Sequence, residues 1–217
     1  MDKNWGLNVL NALTAYFGSV KLRRGNAFEA LIATVLSQHT TDAKAYEAYN
    51  SLSRRFNITP EALASASPIE VAEAIRVAGL QWNKARAIIE LSSILRRTPE
   101  FLEEVGKLDV DKARRRLMDL PGVGEKTADI VLLFNYGKPT FPIDTHIFRV
   151  SKRMGLRNDR NGYEKLRKRL LEAFPENRYL EAHILLIRLG REFCKPKKPK
   201  CNECPVNALC PKIVQNP

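Results

Sequence analysis

Four cysteines, one lysine and one aspartate are the residues of this chain whose types and spacing could do chemistry. The cysteines are Cys194, Cys201, Cys204 and Cys210, separated by six, two and five residues, and the first 193 residues contain none. Disulfides that staple a fold would be scattered, so a set confined to 17 residues reads as one metal site. Soft thiolates select zinc or an iron–sulfur cluster. Zinc more often sits between two C-x2-C knuckles. A single close pair flanked by outlying cysteines suits a cubane, whose irons each take one thiolate from a different direction. The lysine and the aspartate lie in Leu120–His146, LPGVGEKTADIVLLFNYGKPTFPIDTH. Lys126 follows the turn Pro121-Gly122-Val123-Gly124 at the start of an amphipathic helix, and Asp144 closes the stretch before the next helix. Two glycines two apart let the backbone take positive φ and approach another surface. The unpaired N–H groups of the following helix start can seat a phosphate. A lysine and a carboxylate beside a seated phosphate point to covalent chemistry on a nucleic acid. A capped corner with a solvated Lys126 and Asp144 as N-cap would read the same way from this stretch alone.

The charge balance favours such a partner. Of 217 residues, 36 are Lys or Arg and 24 Asp or Glu, a formal charge of +12 that favours a polyanion, nucleic acid before anionic membrane. Nine basic residues against two acidic ones fall between Arg149 and Arg169, among them Arg149, Arg153, Arg157 and Arg160. Arg149 and Arg153 are one helical turn apart, directly after Asp144. Lys195, Lys197, Lys198 and Lys200 crowd the loop between the first two cysteines, where a cluster would order them as a phosphate-binding prong. No apolar run reaches the ~18 residues of a membrane span and no signal pattern opens the chain. The protein is expected to stay where it is made, cytoplasmic and nucleoid-associated in a prokaryote, and to be a monomer.

The elements that must position these residues read as helices throughout, ten or so, with almost no period-two alternation, so the fold class is all-α. The first runs from Trp5 to Phe17 and ends at Gly18. Phe28, Leu31, Ile32, Val35 and Leu36 give a second, interrupted by the polar Ser37–Asp42 before Ala43–Phe56 resumes. Pro60, Pro68 and Pro99 look like first-turn prolines of short helices. Gly79 ends the second of these, and Leu80 leads into a long helix through Leu95. Asp109–Met118 precedes the glycine turn; Thr145–Met154, Tyr163–Ala173 and Tyr179–Phe193 follow Asp144. Taken alone, Ser37–Asp42 is a linking loop with Thr41 or Asp42 as N-cap, and Leu80 is a hydrophobic C-cap contact.

Together these residues resemble the endonuclease III family of helix–hairpin–helix DNA glycosylases, over nearly the whole chain. LPGVGEKTA looks like the family's hairpin motif, with Lys126 at its catalytic lysine. PIDTHIFRV resembles its catalytic-aspartate segment, which places Asp144 and His146, and the 6-2-5 cysteine spacing matches its [4Fe–4S] signature. The resemblance implies a two-lobed fold, with a six-helix lobe of about residues 20–134, a second lobe of 1–19 plus 135–217, and DNA lying between them. It also makes Leu80 a wedge into the duplex. At the position of the family's gap-filling glutamine stands His39, with Gln38 one residue earlier, so either could fill the gap. The implied activity is base excision of damaged, oxidised pyrimidines from double-stranded DNA, followed by strand cleavage at the abasic site. Lys126 would attack the sugar, Asp144 would manage its proton and the developing charge, and Gly122 and Gly124 would hold a phosphate. The turn's carbonyls could bind a monovalent cation. Monofunctional relatives lack a lysine at position 126. Action on thymine or uracil opposite guanine, or a non-catalytic iron–sulfur DNA-binding module, are the alternatives.

Overall fold

The computed structural model describes residues 4–20, 25–156 and 162–213. Arg157 and Arg160 of the expected basic face lie outside them. Among the described residues there are twelve α-helices and no strand. The chain divides into two compact units, Met1–Arg23 with Lys138–Pro217, and Arg24–Gly137. Among the described residues no helix is long and apolar enough to cross a membrane.

The first unit begins with α1 (Trp5–Phe17), which stops at Gly18, a residue with φ of 79°. The second unit then runs through α2 (Ala27–Ser37), α3 (Asp42–Arg55), α4 (Pro60–Ala64), α5 (Pro68–Ala74), α6 (Gln81–Arg97), α7 (Phe101–Lys107), α8 (Val110–Met118) and α9 (Glu125–Phe134). Local chemistry sets many of the boundaries. Asn26, Thr41, Thr59 and Asp109 each accept a hydrogen bond from a first-turn N–H, and Pro60 and Pro68 stand where a missing N–H costs nothing. Two expected boundaries differ. Pro99 lies outside α7, because Phe101 N–H closes a turn onto Thr98 O and the helix starts two residues later. α5 stops at Ala74, and a 3₁₀ turn, Arg76–Ala78, intervenes before Gly79 reverses the chain. The core of this unit is one cluster. Leu31, Ile32 and Val35 of α2, Ile88 and Leu91 of α6, Leu117 of α8 and Val131 and Leu132 of α9 are among its fully or nearly fully buried members.

The first unit resumes with α10 (Thr145–Arg153), α11 (Tyr163–Ala173) and α12 (Tyr179–Glu192), and ends in the cysteine segment, which contains two 3₁₀ turns, Cys201–Glu203 and Asn207–Leu209. Close packing here depends on Gly190 of α12. A Cβ at that position would stand 2.9 Å from His146 Cβ and 3.3 Å from Val150 Cγ2, so α10 can approach α12 only because the side chain is absent. Trp5 of α1 donates its indole N–H to Leu209 O at 2.9 Å, tying α1 to the cysteine segment.

Candidate functional site

In the second unit, the turn between α8 and α9 is built from a few specific groups. Leu120 and Val123 are buried and anchor it to the core, while Gly122 and Gly124 are exposed. Val123 N–H donates to Leu120 O, and the Gln38 side-chain amide donates to Gly122 O at 2.8 Å. The two glycines are required for different reasons. Gly122 has φ of 75°, and an added Cβ would meet Ala87 Cβ at 3.2 Å. Gly124 is extended at φ −97° with nothing within 4 Å of an added Cβ. The expectation of positive φ at both positions therefore fails at Gly124, where nothing inside the protein demands glycine. Its smoothness is presented outward, beside the unpaired N–H groups of the first turn of α9.

Lys126 sits in that first turn and is exposed. Among the described residues its ammonium makes no hydrogen bond or ion pair. The helix is held from beneath. Asp129, fully buried one turn on, takes the guanidinium of Arg114 of α8 side-on, Nε to Oδ1 at 2.8 Å and Nη2 to Oδ2 at 3.3 Å. This pair locks α8 to α9 and fixes the face from which Lys126 projects. Gln38 is the residue spent on the hairpin carbonyl, which leaves His39, exposed at φ 53°, as the outward member of that turn. Leu80 is 54% exposed with φ of 50°, so its side chain makes no buried C-cap contact, and Trp82 beside it is equally open.

In the first unit, Asp144 is the N-cap of α10, with Oδ1 accepting Ile147 N–H at 2.7 Å. Among the described residues its second carboxylate oxygen takes no hydrogen bond, so capping and chemistry are compatible. The strand-like run before it is pinned at three points. Thr140 meets buried Arg167 at 3.3 Å, Pro142 O meets His183 Nδ1 at 3.0 Å, and Ile143 N–H donates to Tyr163 OH at 3.2 Å. No local pattern marks these anchors, because the partners lie 20 to 41 residues away.

Two of the expected DNA contacts are half-buried and bonded within the protein. Arg149 donates from Nε to Cys194 O at 2.7 Å and from Nη2 to Gly190 O at 2.8 Å, and meets His146 Nδ1 at 3.1 Å. Arg153 donates to Lys195 O at 2.7 Å and Pro196 O at 3.0 Å, and reaches Cys194 Sγ at 3.3 Å. Both arginines brace the cysteine loop, since backbone carbonyls there have no helix or sheet partner to take them. Burial lowers the pKa of Arg149 from its ordinary value, against the opposing effect of Cys194. The lysines of the loop do point outward. Lys195, Lys197, Lys198 and Lys200 are all exposed, and both Lys195 N–H and Lys200 N–H close onto Phe193 O at 2.9 Å, fixing the loop's ends. Among the described residues, Lys200 alone of these four has a nearby carboxylate, Glu203, at 3.5 Å.

Cys194, Cys201, Cys204 and Cys210 line one cavity whose apolar wall comes from Val150, Met154, Leu189, Phe193 and Val206. Donors are aimed at sulfur there: Arg153 at Cys194, and Lys212 N–H at Cys210 at 3.4 Å. Burial raises the Cys204 and Cys210 thiols, and the neighbouring sulfurs add to it. Four convergent thiols, sulfur-directed donors and a dry wall fit a thiolate-bound iron–sulfur cluster.

Comparison with known proteins agrees over both units. Residues 32–176 match the model of the HhH-GPD superfamily base excision DNA repair protein, and residues 194–210 match the iron–sulfur binding domain of endonuclease III. Endonuclease III of Sulfolobus acidocaldarius is 36% identical over 192 residues, covering 88% of this chain and 84% of that protein. A solved non-covalent endonuclease III–DNA complex superposes with a TM-score of 0.83 at 33% identity, covering 98% of this chain and 96% of the other. A trapped endonuclease III–DNA covalent intermediate gives 0.82 at 33% identity, with 98% and 97% covered.

Proposed function

We propose that this chain, which belongs to the endonuclease III family of HhH-GPD base excision DNA repair proteins, removes oxidised pyrimidines from duplex DNA through Lys126. It is a bifunctional DNA N-glycosylase and AP lyase, it binds DNA, and it carries an iron–sulfur cluster. The observation that carries the residue assignment is the setting of Lys126. It is exposed, unpartnered among the described residues, and placed by the Arg114–Asp129 pair in the helix turn that follows an outward-facing glycine.

The chemistry follows from the groups. The target nucleotide must leave the stack before its sugar can be reached. Neutral Lys126 Nζ attacks C1′, and the C1′–base bond breaks with the electron pair leaving on the base. Loss of the amine proton and opening of the sugar ring give an imine between Nζ and C1′. Asp144, through the oxygen not used for capping, accepts the lysine proton or stabilises positive charge on the sugar. The imine acidifies C2′–H, and its loss expels the 3′ phosphate, cutting the strand. The N–H groups following Gly124 hold a backbone phosphate. His39 and Leu80, open and conformationally fixed, enter the duplex where the nucleotide has left, and the lysines of the cysteine loop meet phosphates.

The cluster is proposed as [4Fe–4S], held by Cys194, Cys201, Cys204 and Cys210. The four thiols share one cavity. Their six-two-five spacing, with one close pair rather than two C-x2-C knuckles, and the match to the iron–sulfur binding domain of endonuclease III support a cluster over zinc. When bound it supplies a covalent tie that shapes the lysine loop. A monovalent cation is proposed at the hairpin carbonyls, two of which, Leu120 O and Gly122 O, already accept one hydrogen bond each. The substrate reading is tested by single-turnover excision from duplexes carrying thymine glycol, dihydrouracil, uracil, or thymine opposite guanine. Fastest excision of the first two is expected, and preference for the mispaired thymine or uracil would overturn it.

A further inference from the structure

The second unit buries one ammonium group. Lys84 of α6 is 4% exposed, and its Nζ donates to Leu36 O and to Ala78 O, each at 2.9 Å. Among the described residues no carboxylate pairs with it, and burial lowers its pKa from the usual lysine value. A charge in a core without a counter-ion is expensive, and a packed apolar side chain would ordinarily take its place. What the lysine gains is a hold on two carbonyls from different elements. Leu36 lies in the last turn of α2, and Ala78 ends the 3₁₀ turn after α5.

Just beyond each carbonyl the chain carries an exposed residue in the left-handed region, His39 at φ 53° and Leu80 at φ 50°. Among the described residues these are the only such non-glycine residues in the unit. A histidine and a leucine hold that conformation only where their surroundings impose it. Lys84 is the group that touches both surroundings at once. Gln38, in the same turn as His39, is also tied to the hairpin through Gly122 O at 2.8 Å, so both tips are referred to the frame that carries Lys126.

We infer that Lys84 is a positioning residue that sets the spacing of the His39 and Leu80 tips, and through it the gap held open when the target nucleotide leaves the stack. This rests on the reading above in which those tips enter the duplex. Filling that gap matters where a stacked, paired nucleotide must be extruded, and less where the nucleotide has already lost its base.

The test uses the full chain with its cluster. Lys84→Met is expected to slow single-turnover excision of a fully paired damaged base by about tenfold or more. Borohydride trapping at a preformed abasic site should stay within about twofold of wild type. In a Leu80→Ala background, Lys84→Met should add no more than about a further twofold, because with one of the two tips removed there is no spacing left for Lys84 to set. Equal losses on paired and abasic substrates, or full multiplication with Leu80→Ala, would overturn the inference. If Leu80→Ala and His39→Ala leave excision unchanged, the duplex-entry reading itself fails. If they slow it but Lys84→Met does not, only the inference fails. Should Lys84→Met not fold, Lys84→Gln, which keeps one amide donor, is expected to show the same selectivity at smaller size, and its absence would count equally against the inference.

Discussion

Replacing Asp129 by Asn should loosen the hairpin without touching any residue that meets DNA. The carboxylate is fully buried, and the Arg114 side chain it holds is 10% exposed. Breaking a buried pair by removing one partner typically costs about 3–5 kcal/mol, because the remaining charge is stranded. Two features reduce this here. Glu125 stands 4.0 Å from Arg114, but at 42% exposure it contributes no more than about 1 kcal/mol. The Asn carbonyl can still accept one guanidinium hydrogen bond, worth about 1 kcal/mol. The net expectation is a loss of about 1–3 kcal/mol, or a Tm lowered by roughly 2–12 °C for a chain of this length. Urea unfolding followed by helical circular dichroism measures it. The double variant Arg114→Met with Asp129→Leu removes both charges and should recover most of the loss. A loss below about 1 kcal/mol in Asp129→Asn, or a double variant as unstable as the single, would refute the argument that this pair holds α8 to α9.

The two hairpin glycines should separate stability from binding. Gly122→Ala is strained by its φ of 75° and the 3.2 Å approach to Ala87, so it should cost about 1–2 kcal/mol in urea unfolding. Gly124→Ala should leave stability within about 0.5 kcal/mol yet weaken binding to abasic-site DNA, measured by fluorescence anisotropy, since its open side faces the proposed phosphate. In the cysteine loop, Lys197→Ala with Lys198→Ala should reduce the slope of log K against log salt by up to about 1.8, whereas Lys200→Ala, already beside Glu203, should change it less.

Much of the site was legible because its signals are local. The cysteine spacing, the glycine turn before Lys126 and the Asp144 cap are all short-range patterns, and several helix boundaries are set by a cap or a first-turn proline. What escaped reading depends on contacts distant in sequence. Lys84 lies on the same stripe of α6 as Ile88, Leu91 and Leu95, and that position was the available clue to its burial; its acceptors lie 6 and 48 residues away. Arg149 and Arg153 have the composition of a phosphate-binding face, but folding brings loop carbonyls to them first. Gly124 illustrates the opposite case. Its φ is ordinary, so its requirement for glycine is read from the empty space beside it.

Lys126 is proposed to form the covalent bond to DNA. Incubation with an abasic-site duplex and borohydride, followed by proteolysis and mass spectrometry, addresses it directly. A protein–DNA adduct is expected on the peptide containing Lys126, and none from Lys126→Gln that still binds the duplex. An adduct on another lysine, or undiminished trapping by Lys126→Gln, would contradict it.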